Sequence, residues 1–187
     1  MSMNYSKDEI EYFDDVMDVV ENQSIDMDED FILDLLQMKY RWPKGHVETI
    51  NMCSMVSDDY FDHRGYLCFD QWKHLYDQGF TTHLNNIMDV HANLRNMNRR
   101  LLDVRGSETM GNLYLSKGTS TKRPSFFPHT HDYHVAVKTI YGKSKWLIDD
   151  QIIDVEPGTS LFIGAGTTHA VIESKEPRLS LSMNISG

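Results

Sequence analysis

The sequence predicts a mainly β fold carrying an α-helical extension on its N-terminal side, and three observations lead there. Up to about Arg105, apolar residues recur at helical spacing, as in Ile10, Phe13, Met17 and Val20. After Gly106, short runs rich in Val, Ile, Leu and Tyr alternate with Gly, Pro and Asp, the pattern of a β-sandwich or barrel. Three histidines, His129, His131 and His169, fall on two of those later runs. We therefore expect a helical region over residues 1–105 packed on a β-barrel domain over 106–187.

The helices follow in order. Ser6-Lys7-Asp8-Glu9 reads as a capping box, so a helix is expected over 7–21. Residues 22–26 form a turn. A second amphipathic helix covers 28–40, with Phe31, Ile32, Leu35 and Leu36 apolar, and stops before Pro43. Asp26, Asp28 and Asp30 imitate a calcium loop, but Phe31 stands where its Gly belongs and Gln37 where its Glu belongs. Aspartates placed there favour the positive end of a helix instead.

Val47, Ile50, Met52, Met55 and Val56 have the spacing of a short helix between loops. A helix over 69–78 ends at Gly79 and turns Trp72 and Leu75 inward. Residues 80–105 read as one long helix beginning near Thr82, on the stripe Leu84, Ile87, Leu94, Met97 and Leu101. Its polar outer face is solvated or lines a dimer surface. Strands are expected over 111–116, 131–141, 145–148, 151–155, 160–163, 169–173 and 179–185. Asp149-Asp150 supplies a hairpin turn.

The formal charge of -10 argues against nucleic acid or an anionic membrane as a default partner. No apolar run is long enough to span a bilayer, and the acidic first residues are unlike a secretory signal. Two cysteines, Cys53 and Cys68, have neither metal nor disulfide spacing. A reducing, cytoplasmic setting is the expectation. Lys117, Lys122 and Arg123 form a basic patch, either a solvated loop or a guide for an anionic substrate.

Residues two apart on a strand share a face, so His129 and His131 can address one ion. His169, from a neighbouring run, closes one side of the coordination sphere and leaves positions open for substrate. Open positions suit a catalytic metal rather than a structural one. The bland alternative is a pair of polar side chains on an edge strand. His134 and Asp132 have the opposite parity and should point away; Tyr133 shares the ligand face. Imidazoles accept Zn, Fe, Ni or Cu, so the donor set alone does not name the metal.

With its glycines, this pattern resembles the cupin superfamily. The first cupin motif is matched by His129, His131 and Gly142, with Val135 in place of its Glu. The second is matched by Gly158, Gly166 and His169, with Gly164 in place of its Pro. Within the superfamily, residues 111–146 resemble the Jumonji-C-type 2-oxoglutarate oxygenases through Asn112, Tyr114, His129, Gly142, Lys143, Lys145 and Trp146. His131 stands where that family places Asp or Glu, and Ser144 where many members carry a basic residue. Arg178-Leu179-Ser180 resembles the carboxylate anchor of other 2-oxoglutarate oxygenases, for which the planar guanidinium fork is suited.

The resemblance implies a double-stranded β-helix, with His129, His131 and His169 as metal ligands. Arg178 and Ser180 would hold 2-oxoglutarate, helped by Tyr114, Asn112 or Lys145. Fe(II) is the implied metal; Zn, Ni or Mn are the other ions considered. The substrate would be a small molecule or a protein side chain, and cupins often dimerise. Two further readings stand beside this one. One is a three-histidine dioxygenase that binds its substrate directly, which Val135 and Ser144 favour. The other is a non-catalytic, ligand-binding cupin.

Overall fold

The computed structural model describes residues 5–38, 42–51, 54–55, 58–118 and 124–185, with 54–55 described by backbone alone. Lys122 and Arg123 of the basic patch, like Cys53, Met52 and Val56, lie outside the described residues. Helix α1 spans Lys7–Glu21 behind the expected capping box: Glu9 N–H donates to Ser6 Oγ (3.2 Å) and Ser6 N–H to Glu9 Oε2 (2.7 Å). Helix α2 covers Glu29–Gln37, capped by the Asp28 carboxylate on Phe31 N–H.

Two expectations are corrected next. The segment read as a short helix forms strand β1, Val47–Asn51, which pairs antiparallel with β2, Ser54–Met55. After α3, Phe69–Asp77, the long helix expected from Thr82 is split into strand β3, Thr81–Leu84, and helix α4, Ala92–Arg105. In both places β-branched residues (Val47, Thr49, Ile50; Thr81, Thr82) found strand partners, and pairing overrode the helical spacing. Asn86, at φ 55°, turns the chain between β3 and α4. His91 then caps α4, its Nδ1 accepting from Asn93 N–H.

The later strands are β4 (Gly111–Ser116), β5 (Val135–Tyr141), β6 (Ser144–Ile148), β7 (Gln151–Val155), β8 (Ser160–Ile163), β9 (His169–Glu173) and β10 (Arg178–Asn184). They make two antiparallel sheets. The larger runs β2-β1-β3-β4-β10-β5-β8 and the smaller β7-β6-β9, so residues on both sides of Gly106 share one sheet. This is the mainly β, double-stranded architecture with helices expected from the sequence.

Alternation along β4 and β10 gives the large sheet two different faces. Leu113, Leu115, Leu179, Leu181 and Met183 are buried in one core with Val16 and Val20 of α1, Trp72 of α3 and Leu94 and Leu101 of α4. A second cluster, Val135, Val137, Trp146, Val155 and Ile163, joins the two sheets. Tyr114, Ser180 and Ser182 line the cavity between the sheets.

Lys138, on β5, ties the large sheet to α1. It is buried, and its ammonium donates to the carbonyls of Val20 (2.9 Å) and Glu21 (3.1 Å) at the C-terminal end of α1. No helix among the described residues is long and apolar enough to cross a membrane.

Candidate metal centre

His129 and His131 precede β5 rather than belonging to it; the strand expected from 131 begins at Val135. Two other devices hold them. His129 forms an isolated antiparallel bridge with His169, exchanging backbone hydrogen bonds of 3.2 and 2.9 Å. Gly166 N–H donates to the carbonyl of His131 (2.7 Å), tying the loop before β9 to the segment before β5. Gly166 sits at φ 77°, in the left-handed region that favours glycine.

The three imidazoles face one another, with ring centroids 4.5 Å apart for His129 and His169 and 5.0 Å for the other two pairs. One nitrogen from each lies within 4.8 Å of the others. Carbonyls only accept, so His129 Nδ1 donates to Phe127 O (2.8 Å) and His169 Nδ1 to Thr167 O (3.0 Å). That fixes the tautomer and leaves each Nε2 lone pair free, the usual state of a metal-ligating histidine. Tyr133 stacks on His131 with centroids 4.7 Å apart.

Burial is the largest influence holding His131 and His169 below the ordinary imidazole range, and the neighbouring rings add to it. Neutral rings with free lone pairs are what a divalent first-row ion requires, so the donor set fits such a metal.

Beyond the histidines a cavity of about 200 Å³ runs between the sheets, lined by Tyr114, Val135, Trp146, Arg178 and Ser180 among others. Arg178 lies at its buried end, only 2% exposed. Its Nη2 donates to Ser125 Oγ (3.1 Å), while its Nε and the Ser180 hydroxyl are buried with no hydrogen-bond partner. Burial pushes the guanidinium down to about 10, so it remains charged at neutral pH. Burial likewise raises the Tyr114 phenol, to about 12.

Two residues implied by the resemblance fall elsewhere. Lys145 is corrected: its Nζ pairs with Asp154 (2.7 Å), away from the cavity lining, because its parity on β6 is opposite to that of Trp146. Asn112 is also away from that lining, its Oδ1 accepting from Asn86 N–H (3.3 Å). Ser144 is occupied by the Trp146 indole N–H (3.1 Å). His134, as expected, does not join the three histidines; it packs on Phe13 of α1, with centroids 4.6 Å apart.

Sequence reasoning missed Ser125, Phe126 and Ser182 on the cavity wall. Ser182 was within reach by extending the alternation of Arg178 and Ser180. The Glu48–His83 pair was also missed: Glu48 Oε2 meets His83 Nδ1 at 2.9 Å, and that ring stacks on Tyr114 at 4.5 Å.

No protein-family model matches the sequence, and no curated protein matches it. Among solved structures, the chain is similar to YcfD, a ribosomal oxygenase from Escherichia coli solved with cobalt and succinic acid. The TM-score is 0.56 at 16% identity, covering 89% of this chain and 46% of that one. This chain thus spans about half the length of that protein. A cupin superfamily protein from Desulfitobacterium hafniense matches over 42% of this chain and 68% of its own, with a TM-score of 0.35 and 18% identity. An RmlC-like cupin from Shewanella frigidimarina covers 42% of this chain and 67% of its own, at a TM-score of 0.36 and 13% identity. The chain has a mainly β, two-sheet fold with helices that it shares over most of its length with this ribosomal oxygenase.

Proposed function

We propose that this protein is an Fe(II)-dependent oxygenase that uses 2-oxoglutarate and acts on a protein side chain. The observation that carries it is Arg178. A buried cation with an unpartnered Nε is costly unless an anion completes it. The Ser180 hydroxyl, also unpartnered, lies on the same face of β10, and both line the cavity that the three histidines close. A dicarboxylate with one end at the histidines and the other at Arg178 satisfies both ends together.

His129, His131 and His169 would hold the metal. Arg178 and Ser180 would hold the distal carboxylate, with Tyr114 across the strand pair from Ser180. When bound, ferrous iron with 2-oxoglutarate and O₂ supplies the oxidising power for hydroxylating a C–H bond. This chain's residues do the rest: Trp146 and Val135 give the cavity an apolar wall, and the guanidinium would orient the cosubstrate. Support for a protein substrate comes from the ribosomal oxygenase among the structural neighbours, whose succinic acid is itself a dicarboxylate.

A second reading is favoured by the donor set. Three neutral imidazoles leave a divalent site more positive than two imidazoles and a carboxylate, which favours direct binding of an anionic substrate. Anaerobic titration of 2-oxoglutarate into the Fe(II) protein separates the two. A metal-to-ligand absorption band is the expected result; its absence moves the direct-binding dioxygenase to first place.

A further inference from the structure

We infer that the hydroxyl pair Thr81–Ser125 positions Arg178, making Thr81, on a strand outside the motif region, a determinant of carboxylate affinity. This assignment depends on the cosubstrate proposed above and extends it to residues that carry no motif.

The chemistry follows from counting donors and acceptors. Guanidinium groups only donate, so Arg178 Nη2 uses a lone pair of Ser125 Oγ (3.1 Å). The Ser125 hydroxyl oxygen is in turn hydrogen-bonded to Thr81 Oγ1, and both side chains are buried. Ser125 keeps a second lone pair and its own proton, so either hydroxyl can donate in the contact with Thr81. The three groups form a chain running from β3 to β10 across the intervening β4. Held by Thr81, the Ser125 oxygen is fixed where the guanidinium meets it.

Arginine has four rotatable bonds before its fork, and a free guanidinium would sample many orientations. Fixing Nη2 at Ser125 sets the plane of the fork, whose Nε is buried and has no partner in the protein. Ser125 precedes Phe126 and His129, so the same short segment joins the arginine clamp to the first histidine. Thr81 touches neither cosubstrate nor metal in this scheme. It is a positioning residue, and β3 is the element that brings it there.

The test uses the full chain loaded anaerobically with Fe(II), and 2-oxoglutarate as the probe. Thr81→Val removes the hydroxyl at nearly constant shape and should weaken 2-oxoglutarate roughly threefold to tenfold, as expected for one buried hydrogen bond. Ser125→Ala should weaken it roughly tenfold or more, since its partner is charged. Thr81→Ser should restore wild-type affinity. Affinity for Fe(II) should stay with wild type throughout, a split that a purely structural role would not produce.

Wild-type affinity in Thr81→Val, with Arg178→Ala impaired, overturns the inference and leaves the cosubstrate assignment standing. Parallel loss of metal affinity, or failure of Thr81→Ser to rescue, overturns it as well. If the wild-type protein itself binds no 2-oxoglutarate, the cosubstrate assignment fails and the inference falls with it.

Discussion

The two ends of the cavity are built differently. At the metal end, His129 and His131 stand on irregular backbone, partly exposed, held by one isolated bridge and a glycine hydrogen bond. At the other end, Arg178 and Ser180 stand on β10, between β4 and β5 in the large sheet, and each is only 2% exposed. The first end offers lone pairs and openness, which an exchangeable metal needs. The second offers fixed donors without water, which selection of an anion needs. Irregular backbone tolerates adjustment of a ligand; a central strand holds its side chains in register.

Removing a histidine should give the largest effect. His131→Ala and His169→Ala are expected to lower Fe(II) or Co(II) affinity more than about a hundredfold, beyond what loss of a supporting contact costs. Calorimetry under anaerobic conditions measures this, and retained affinity in either variant breaks the metal assignment. His134→Ala, outside the three histidines, should keep the metal.

Arg178→Ala comes next. It should weaken 2-oxoglutarate by roughly tenfold to a hundredfold or more, the worth of a charge-assisted contact, while sparing the metal. Arg178→Met sharpens the contrast. It removes an unpaired buried charge and keeps the volume, so stability should be equal or higher by up to about 4 kcal/mol while 2-oxoglutarate binding is lost. Thermal unfolding without ligand reads the first, titration the second. A large fall in Tm would show that Arg178 serves folding instead.

Gly142→Ala tests how tightly the anchor strand is braced. Gly142 sits at φ 77°, and an added Cβ would collide with the Pro177 carbonyl oxygen and the Arg178 backbone. A loss of about 1–3 kcal/mol is expected from strain alone, with weaker 2-oxoglutarate binding. Wild-type stability would mean that this turn gives way freely.

The smallest effect is pH dependence. Burial holds His83, His131 and His169 below the ordinary imidazole value of 6.5 in the folded protein. Between the folded and unfolded values the unfolded chain binds more protons, so stability rises with pH there. The metal-free protein should therefore lose Tm as pH falls through 6.5, and added Co(II) should oppose that loss. An unchanged Tm from pH 7.5 to 5.5 would contradict the burial of these rings.

What could be read from the sequence follows the same division. The capping box at Ser6, the Asp149-Asp150 turn and the histidine spacing are local patterns, and local patterns are legible. Strands β1 and β3 were misread because Val47–Asn51 and Thr81–Leu84 are too short to show alternation, and their state is decided by pairing partners far along the chain. Ser125 and Thr81 were invisible for a related reason. Nothing near either residue says that a loop returning over β3 brings their hydroxyls together. His129 and His131 converge although neither lies in a strand, because the bridge to His169 and the Gly166 hydrogen bond hold them.

The place of β10 in the large sheet also bears on how the molecule folds. It is the last strand in chain order, yet it inserts between β4 and β5, so both of those wait with an open edge until it arrives. Contacts of such long sequence separation make for slow folding and leave edges exposed to wrong partners meanwhile. Arg178 travels on that strand. The Arg178 end of the cavity therefore comes into being at the moment the sheet closes, and a chain that held the proposed anion would, by that fact, have reached its final topology.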